Sequence, residues 1–196
     1  DYALGKLHPD VLLVWFPEPD TSQHAYGVDS PEAQSMYSLA DAQLGRILDA
    51  IGEQGDDPDI FIVSDHGYST IDSVINVPAE LVAAGFGYNA GEESVVIAEN
   101  GGAVLLYLPQ RSTKLIERLL RWLTERPWVG GIATDHPNFD EREFASLDMI
   151  GLTGRRAPDI AIAMRSRDSG DSAPLARVGT ATGGKVGVGS HGGASP

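Results

Sequence analysis

The stretch Ile60-Phe61-Ile62-Val63-Ser64-Asp65-His66-Gly67 decides how the rest of the chain is read. Four apolar residues in a row predict a strand buried on both faces. Directly behind them stand a carboxylate and an imidazole, then a glycine that lets the chain turn. Upstream, the apolar run from Val11 to Phe16 ends in Glu18-Pro19-Asp20-Thr21-Ser22-Gln23-His24, and far downstream His191 lies in Gly189-Ser190-His191-Gly192-Gly193. Two aspartates and three histidines, all at strand ends or in glycine turns, read as a metal site assembled from distant parts of the chain.

Working outward, residues 10–16 predict a second buried strand. Ser30-Pro31-Glu32 offers an N-cap, a proline at the first helical position and an acid in the first turn. Met36, Leu39, Ala40, Leu44, Ile47, Leu48 and Ile51 follow at spacings of three and four, which predicts an amphipathic helix over 31–51, ended by Gly52 and Gly55. Strand, helix and strand (59–64) of this length make a βαβ unit and hence a parallel sheet. Downstream, the pattern predicts a short helix at 78–84 and a hairpin of strands 94–98 and 103–108 around Glu99-Asn100-Gly101-Gly102. An amphipathic helix at 113–125, a weak strand at 128–133 and a strand at 159–164 follow, and the polar region 134–157 holds one turn of helix at 141–147. From 165 onward glycine, serine and charge predict loop, glycine-rich over about 165–193. No repeat or linker divides the chain, so residues 1–196 read as a single α/β domain, a sandwich of sheet and helices.

The 196 residues suffice for one proper core, and 42% hydrophobic with 21% charged residues is an ordinary globular composition. No apolar run approaches the roughly 20 residues that span a bilayer. A net charge of −14 argues against a nucleic acid duplex held by its backbone, which needs a basic face. It leaves room for a phosphorylated substrate, because bound divalent cations invert the local charge. There is no cysteine, which removes disulfides and thiolate metal sites. The opening Asp1-Tyr2-Ala3-Leu4 lacks an initiator methionine and reads as the start of a piece of something longer. Localisation stays open, with the cytoplasm slightly favoured and the periplasm or secretion compatible with a signal removed upstream.

Asp20 and His24 are four residues apart, so one helical turn aims both at one point. Asp65 and His66 are neighbours, and beyond a strand end, in a turn with Gly67, they converge. Carboxylate oxygen with imidazole nitrogen suits zinc, and manganese or iron less well. Taken singly, each segment reads as a turn or a cap, and His8 and His136 are assigned no role. In open α/β sheets, however, sites form beyond the carboxyl ends of strands, where two of these segments fall.

All three segments resemble the alkaline phosphatase superfamily, in particular its type I phosphodiesterase/nucleotide pyrophosphatase branch. The resemblance runs through Pro9-Asp10 to Phe16, then Pro17-Glu18-Pro19-Asp20 with His24 and Gly27, and the helix with Asp41 and Leu44-Gly45-Arg46-Ile47-Leu48. It continues at Ser64-Asp65-His66-Gly67, Ala157-Pro158-Asp159-Ile160 and Gly189-Ser190-His191-Gly192. It implies a three-layer sandwich with a mostly parallel sheet and helices on both faces, and a two-zinc hydrolase of phosphodiester or pyrophosphate bonds acting through a phospho-enzyme. Asp20, His24 and His191 match the ligands of one zinc, and Asp65 and His66 match two ligands of the other.

The resemblance also marks a departure. In the family an aspartate and the nucleophilic threonine or serine precede the stretch matching Pro9, whereas only eight residues do so here. Thr21, Ser69 and Thr70 do not occupy the nucleophile's place. The chain therefore reads as a truncated catalytic domain, inactive alone, whose substrate would be a small phosphate ester, nucleotides included. Other chemistry of the superfamily (phosphonoacetate hydrolysis, phosphoglycerate mutation, sulfate-ester cleavage) and a non-catalytic metal-binding domain are the competing readings. Trp15 and Trp122 are expected in the core, and an exposed sheet edge is expected to be covered by a loop or by a homodimer.

Overall fold

Ser30 caps its helix as its neighbours require: its side chain accepts a hydrogen bond from the Ala33 amide at 3.1 Å, Pro31 opens the first turn, and Gly55 closes the last in the left-handed conformation. The computed structural model describes residues 2–55, 57–88, 94–136, 144–168, 177–183 and 187–193. After a π-helical turn at Ala3–Leu7 come α1 (Asp20–Tyr26), α2 (Pro31–Gln54), β1 (Ser69–Ile75), α3 (Val77–Ala83), β2 (Gly87–Tyr88), β3 (Ser94–Asn100) and β4 (Ala103–Tyr107). Then follow α4 (Thr113–Thr124), β5 (Val129–Ala133), a 3-10 turn at Asp148–Ile150, β6 (Ile160–Met164), β7 (Ser166–Asp168), β8 (Arg177–Thr182) and β9 (Gly189–Ser190).

The dry core belongs to a five-stranded sheet in the order β2-β3-β4-β6-β5. The expected hairpin forms around a two-residue Gly101–Gly102 loop, with Asn100 opposite Ala103 and Gly101 at a φ of 54°, a turn that favours glycine. Helix α4 turns Leu115, Ile116, Leu119, Leu120 and Leu123 into the same cluster as Val104 and Leu106 of β4 and Ile160 and Ile162 of β6. Val77 and Leu81 of α3 join it. Each fully buried leucine there contributes roughly 2 kcal/mol of hydrophobic free energy.

A second sheet, in the order β7-β8-β1-β9, carries the site. β1 pairs with β8 in parallel and with β9 antiparallel. The loop expected from 165 onward is thus replaced, in its described parts, by three short strands, because pairing of β8 and β9 with β1, and of β7 with β8, satisfies amides that glycine-rich composition alone cannot place. Between Pro17 and Ser30 the chain forms α1, which contains the helical turn that the spacing of Asp20 and His24 predicts.

The α/β class holds, but the strands expected at 10–16 and 59–64, and the βαβ unit built on them, do not form. Neither run pairs with a strand among the described residues, and their side chains are exposed, Leu13 at 91% and Val63 at 86%. A parallel ladder needs a partner on its flank, and no described strand borders either run. The described pairings are accordingly mostly antiparallel, the parallel ones being β1–β8 and β2–β3. Without that layer beneath it, α2 buries only Ala33 fully, and its apolar stripe stays half-exposed. Trp15 is 69% exposed instead of core, whereas Trp122 packs edge-on against Phe86 and Trp128. The turn expected at 141–147 lies partly outside the described residues.

This division gives a direct expectation. Leu119→Ala, in the dry cluster, should cost about 3 kcal/mol in urea unfolding. Leu13→Ala should stay within about 0.5 kcal/mol of the parent chain. An equal loss in both would show that the run 11–16 is packed after all.

Candidate metal centre

Helix α1 begins where Glu18 reaches forward: its carboxylate accepts from the Ser22 amide at 3.1 Å and supplies the cap that Pro19 lacks. Gln23 ties the helix to α2 through Tyr37, donating to the phenol oxygen at 2.7 Å. One turn of helix then sets Asp20 and His24 on one face, as their spacing predicts, with Oδ2 and Nε2 at 3.9 Å.

His191 reaches the same point from the other end of the sequence. β9 pairs with the start of β1, Ser190 opposite Ser69 and Gly189 opposite Thr70. The Val188 amide donates to the carbonyl of His24 at 2.8 Å, and His24 Nδ1 lies 3.0 Å from the carbonyl of Gly189. That carbonyl accepts the Nδ1 proton, so the lone pair of His24 sits on Nε2, toward Asp20. One donor atom each from Asp20, His24 and His191 lies within 4.8 Å of the others. One carboxylate and two imidazoles is a set that zinc accepts, leaving a coordination position open.

Asp65 and His66 converge as expected beyond position 64. His66 Nε2 is 3.5 Å from Asp65 Oδ2 and 3.6 Å from Asp20 Oδ1, and its ring stacks on that of His191 with centroids 3.9 Å apart. Ser64 shapes the turn by donating its hydroxyl to the His66 carbonyl at 2.7 Å. All five expected residues therefore meet. Asp20, His24 and His191 form the set whose ligand atoms converge, and Asp65 and His66 border that set, His66 facing Asp20 and stacking on His191.

Electrostatics follow from this crowding. Burial, and then the neighbouring imidazoles of His66 and His24, hold the His191 pKa below the ordinary histidine range, which keeps its ring in the neutral, ligating form. Burial pushes the Tyr68 phenol well above its ordinary range, helped by its hydrogen bond to Asp20 and the charges of Asp20 and Asp65.

Tyr68 was not singled out by the sequence reading, although it directly follows Ser64-Asp65-His66-Gly67. Its position one residue past the glycine was the available signal. A cavity of about 240 Å³ opens beside His24 and His191, lined also by Glu99, Asn100, Thr182 and Ser190. The Thr182 hydroxyl donates to the Glu99 carboxylate. Nothing in the sequence placed these residues at the site, because β8 and the end of β3 meet only in the fold. His136 lines a separate cavity of about 510 Å³ with Arg111, Asp135 and Asp159, and neither it nor His8 joins the cluster. Of the candidate hydroxyls, Thr21 donates to the Pro17 carbonyl at 3.3 Å and Thr70 accepts from the Val28 amide at 3.3 Å.

The close approach at Gly189 is testable. A Cβ there would fall onto the Gln23 carbonyl oxygen, so Gly189→Ala must push β9 off α1. Ring-to-ring NMR contacts between His24 and His191 should vanish, while the amides of α4 stay protected from exchange. Retained ring contacts would show that the site does not depend on this packing.

The family model for type I phosphodiesterase/nucleotide pyrophosphatase matches residues 3–164. Human ectonucleotide pyrophosphatase/phosphodiesterase family member 7 is 35% identical over 65 residues, 32% of this chain and 14% of that protein. The mouse protein of the same name is 38% identical over 69 residues, 33% of this chain and 16% of the relative. The chain thus spans a small part of these curated relatives. Murine ectonucleotide pyrophosphatase/phosphodiesterase 5, solved as an inactive variant in complex with AMP, shares the fold at a TM-score of 0.60 and 16% identity, over 90% of this chain and 41% of that one. With most of its length matched by the family model and the same fold in a solved member, this chain belongs to the type I phosphodiesterase/nucleotide pyrophosphatase family.

Proposed function

We propose that the chain carries the metal-holding part of a hydrolase of phosphodiester or pyrophosphate bonds. The observation that carries this reading is the convergence of Asp20, His24 and His191 from sequence-distant segments in a chain of this family. Asp20, His24 and His191 hold one zinc, and Asp65 and His66 supply ligands for a second. Zinc bound there supplies positive charge against the oxygens of the phosphate. The rest falls to the protein. The Gly189 carbonyl fixes the tautomer of His24, stacking with His191 fixes the ring of His66, and the cavity beside Glu99 and Asn100 leaves room for part of a substrate.

The substrate class is a phosphate ester or pyrophosphate, with nucleotides favoured by AMP on the murine neighbour. The attacking hydroxyl is assigned to none of Thr21, Ser69 or Thr70, and the 196 residues alone are inactive on this reading. The acidic net charge of −14 supports a cation-assisted site over direct capture of phosphate by the protein.

Zinc per chain after exhaustive dialysis tests the first claim. We expect about one bound equivalent, lost in His24→Ala, on the rule that a structural or catalytic zinc needs at least three protein ligands. No zinc in the parent chain would overturn the metal assignment. Turnover of a nitrophenyl phosphodiester tests the second: none is expected from the chain alone, and zinc-dependent turnover would show that its nucleophile lies within these residues.

A further inference from the structure

We infer that Tyr68 is a positioning residue that fixes the Asp20 carboxylate for metal binding, an inference that rests on the metal reading above. The phenol oxygen donates to Asp20 Oδ1 at 2.8 Å and lies 3.3 Å from the Asp20 carbonyl. Oδ1 is thereby occupied, and it also faces His66 Nε2 at 3.6 Å. Oδ2 is left facing His24 Nε2 at 3.9 Å, the imidazole that shares its converging set. A carboxylate on a surface helix otherwise rotates freely about its last torsion, which is broad and two-fold. Asp20 is 45% exposed on its side chain, so packing does not stop that rotation. The hydrogen bond does.

The ring does a second job. Tyr68 meets His24 edge-on with centroids 5.1 Å apart, His191 edge-on at 5.5 Å, and His66 at 5.5 Å with the planes tilted. One aromatic side chain therefore touches four of the five site residues, and it does so from the sequence position that joins the Asp65–His66 turn to β1. Partners of this outer kind orient ligands and set affinity, and their loss costs about 10–100-fold in metal binding.

Tyr68→Phe removes the hydroxyl and keeps the ring. For the metal-free chain we expect an unchanged thermal midpoint and an Asp20 side-chain carboxyl carbon NMR signal that moves while that of Asp65 stays. Zinc affinity, measured by chelator competition, should fall about 10–100-fold. Tyr68→Leu, which also removes the ring, should weaken zinc further and shift the ring signals of His24 and His191. Equal zinc affinity in the parent chain and Tyr68→Phe overturns the positioning role alone. A parent chain that takes up no zinc overturns the metal reading, and the role of Tyr68 toward zinc falls with it.

Discussion

Two residue pairs hold the site together: Ser69 opposite Ser190 and Thr70 opposite Gly189, where β9 lies along the start of β1. This short ladder sets β9 beside β1, and the Val188 amide and the Gly189 carbonyl then tie β9 directly to His24. The Ile71 amide extends it by donating to the Val188 carbonyl at 2.7 Å, and the Gly102 amide caps it by donating to the carbonyl of His191 at 2.8 Å. The latter bond links the site to the hairpin loop of the core sheet. Thr182 and Met164 donate their amides to the carbonyls of Gly101 and Gly102 at 2.8 Å each, so one glycine pair binds strands from both sheets.

The molecule is thus stabilised unevenly. The cluster around α4 is dry and apolar, with Leu119, Leu120 and Leu123 wholly inaccessible. The site elements bury little: α1 hides Ser22 and Gln23, and α2 only Ala33. Hydrogen bonds worth about 1 kcal/mol net each carry that region. Segments of this kind open locally well before the core does. A ligand gripping α1, the 64–68 turn and β9 at once would close that gap by mass action, since it binds only the assembled arrangement.

Legibility in the sequence followed the same division. Helices α2 and α4, and the β3–β4 hairpin, were readable because their signals are local: Ser30 and Ser112 accept from amides three residues on, and Gly101–Gly102 makes the turn. The strands at 10–16 and 59–64 misled, because a run such as Ile60 to Val63 reports a capacity for burial, and burial needs a neighbour that periodicity cannot supply. β8 and β9 were hidden by short runs of small residues, with Gly179, Thr180, Ala181 and Thr182 in one and Gly189 and Ser190 in the other, too small to mark a buried face. The approach of Asp20 to His24 was legible in their spacing, whereas the meeting of the three distant segments was expected only through the family resemblance. Tyr68 and Glu99 were not, since their roles exist only as contacts across the fold.

Those contacts also rank the site residues by how firmly they are held. His24 is fixed at Nδ1 by a carbonyl, Asp20 by a phenol, and His191 by the ladder on one side and the Gly102 amide on the other. Asp65 faces His66 at 3.5 Å and is otherwise 53% exposed on its side chain. Metal affinity depends on ligands being in place before the ion arrives, because ordering them afterwards costs side-chain entropy. Among the candidate ligands, those around Asp20 are therefore the more firmly held within this chain. Around Asp65, by contrast, the His66 imidazole is held by stacking on His191, whereas the carboxylate meets, among the described residues, only His66 at 3.5 Å and would have to be ordered by any ion it bound.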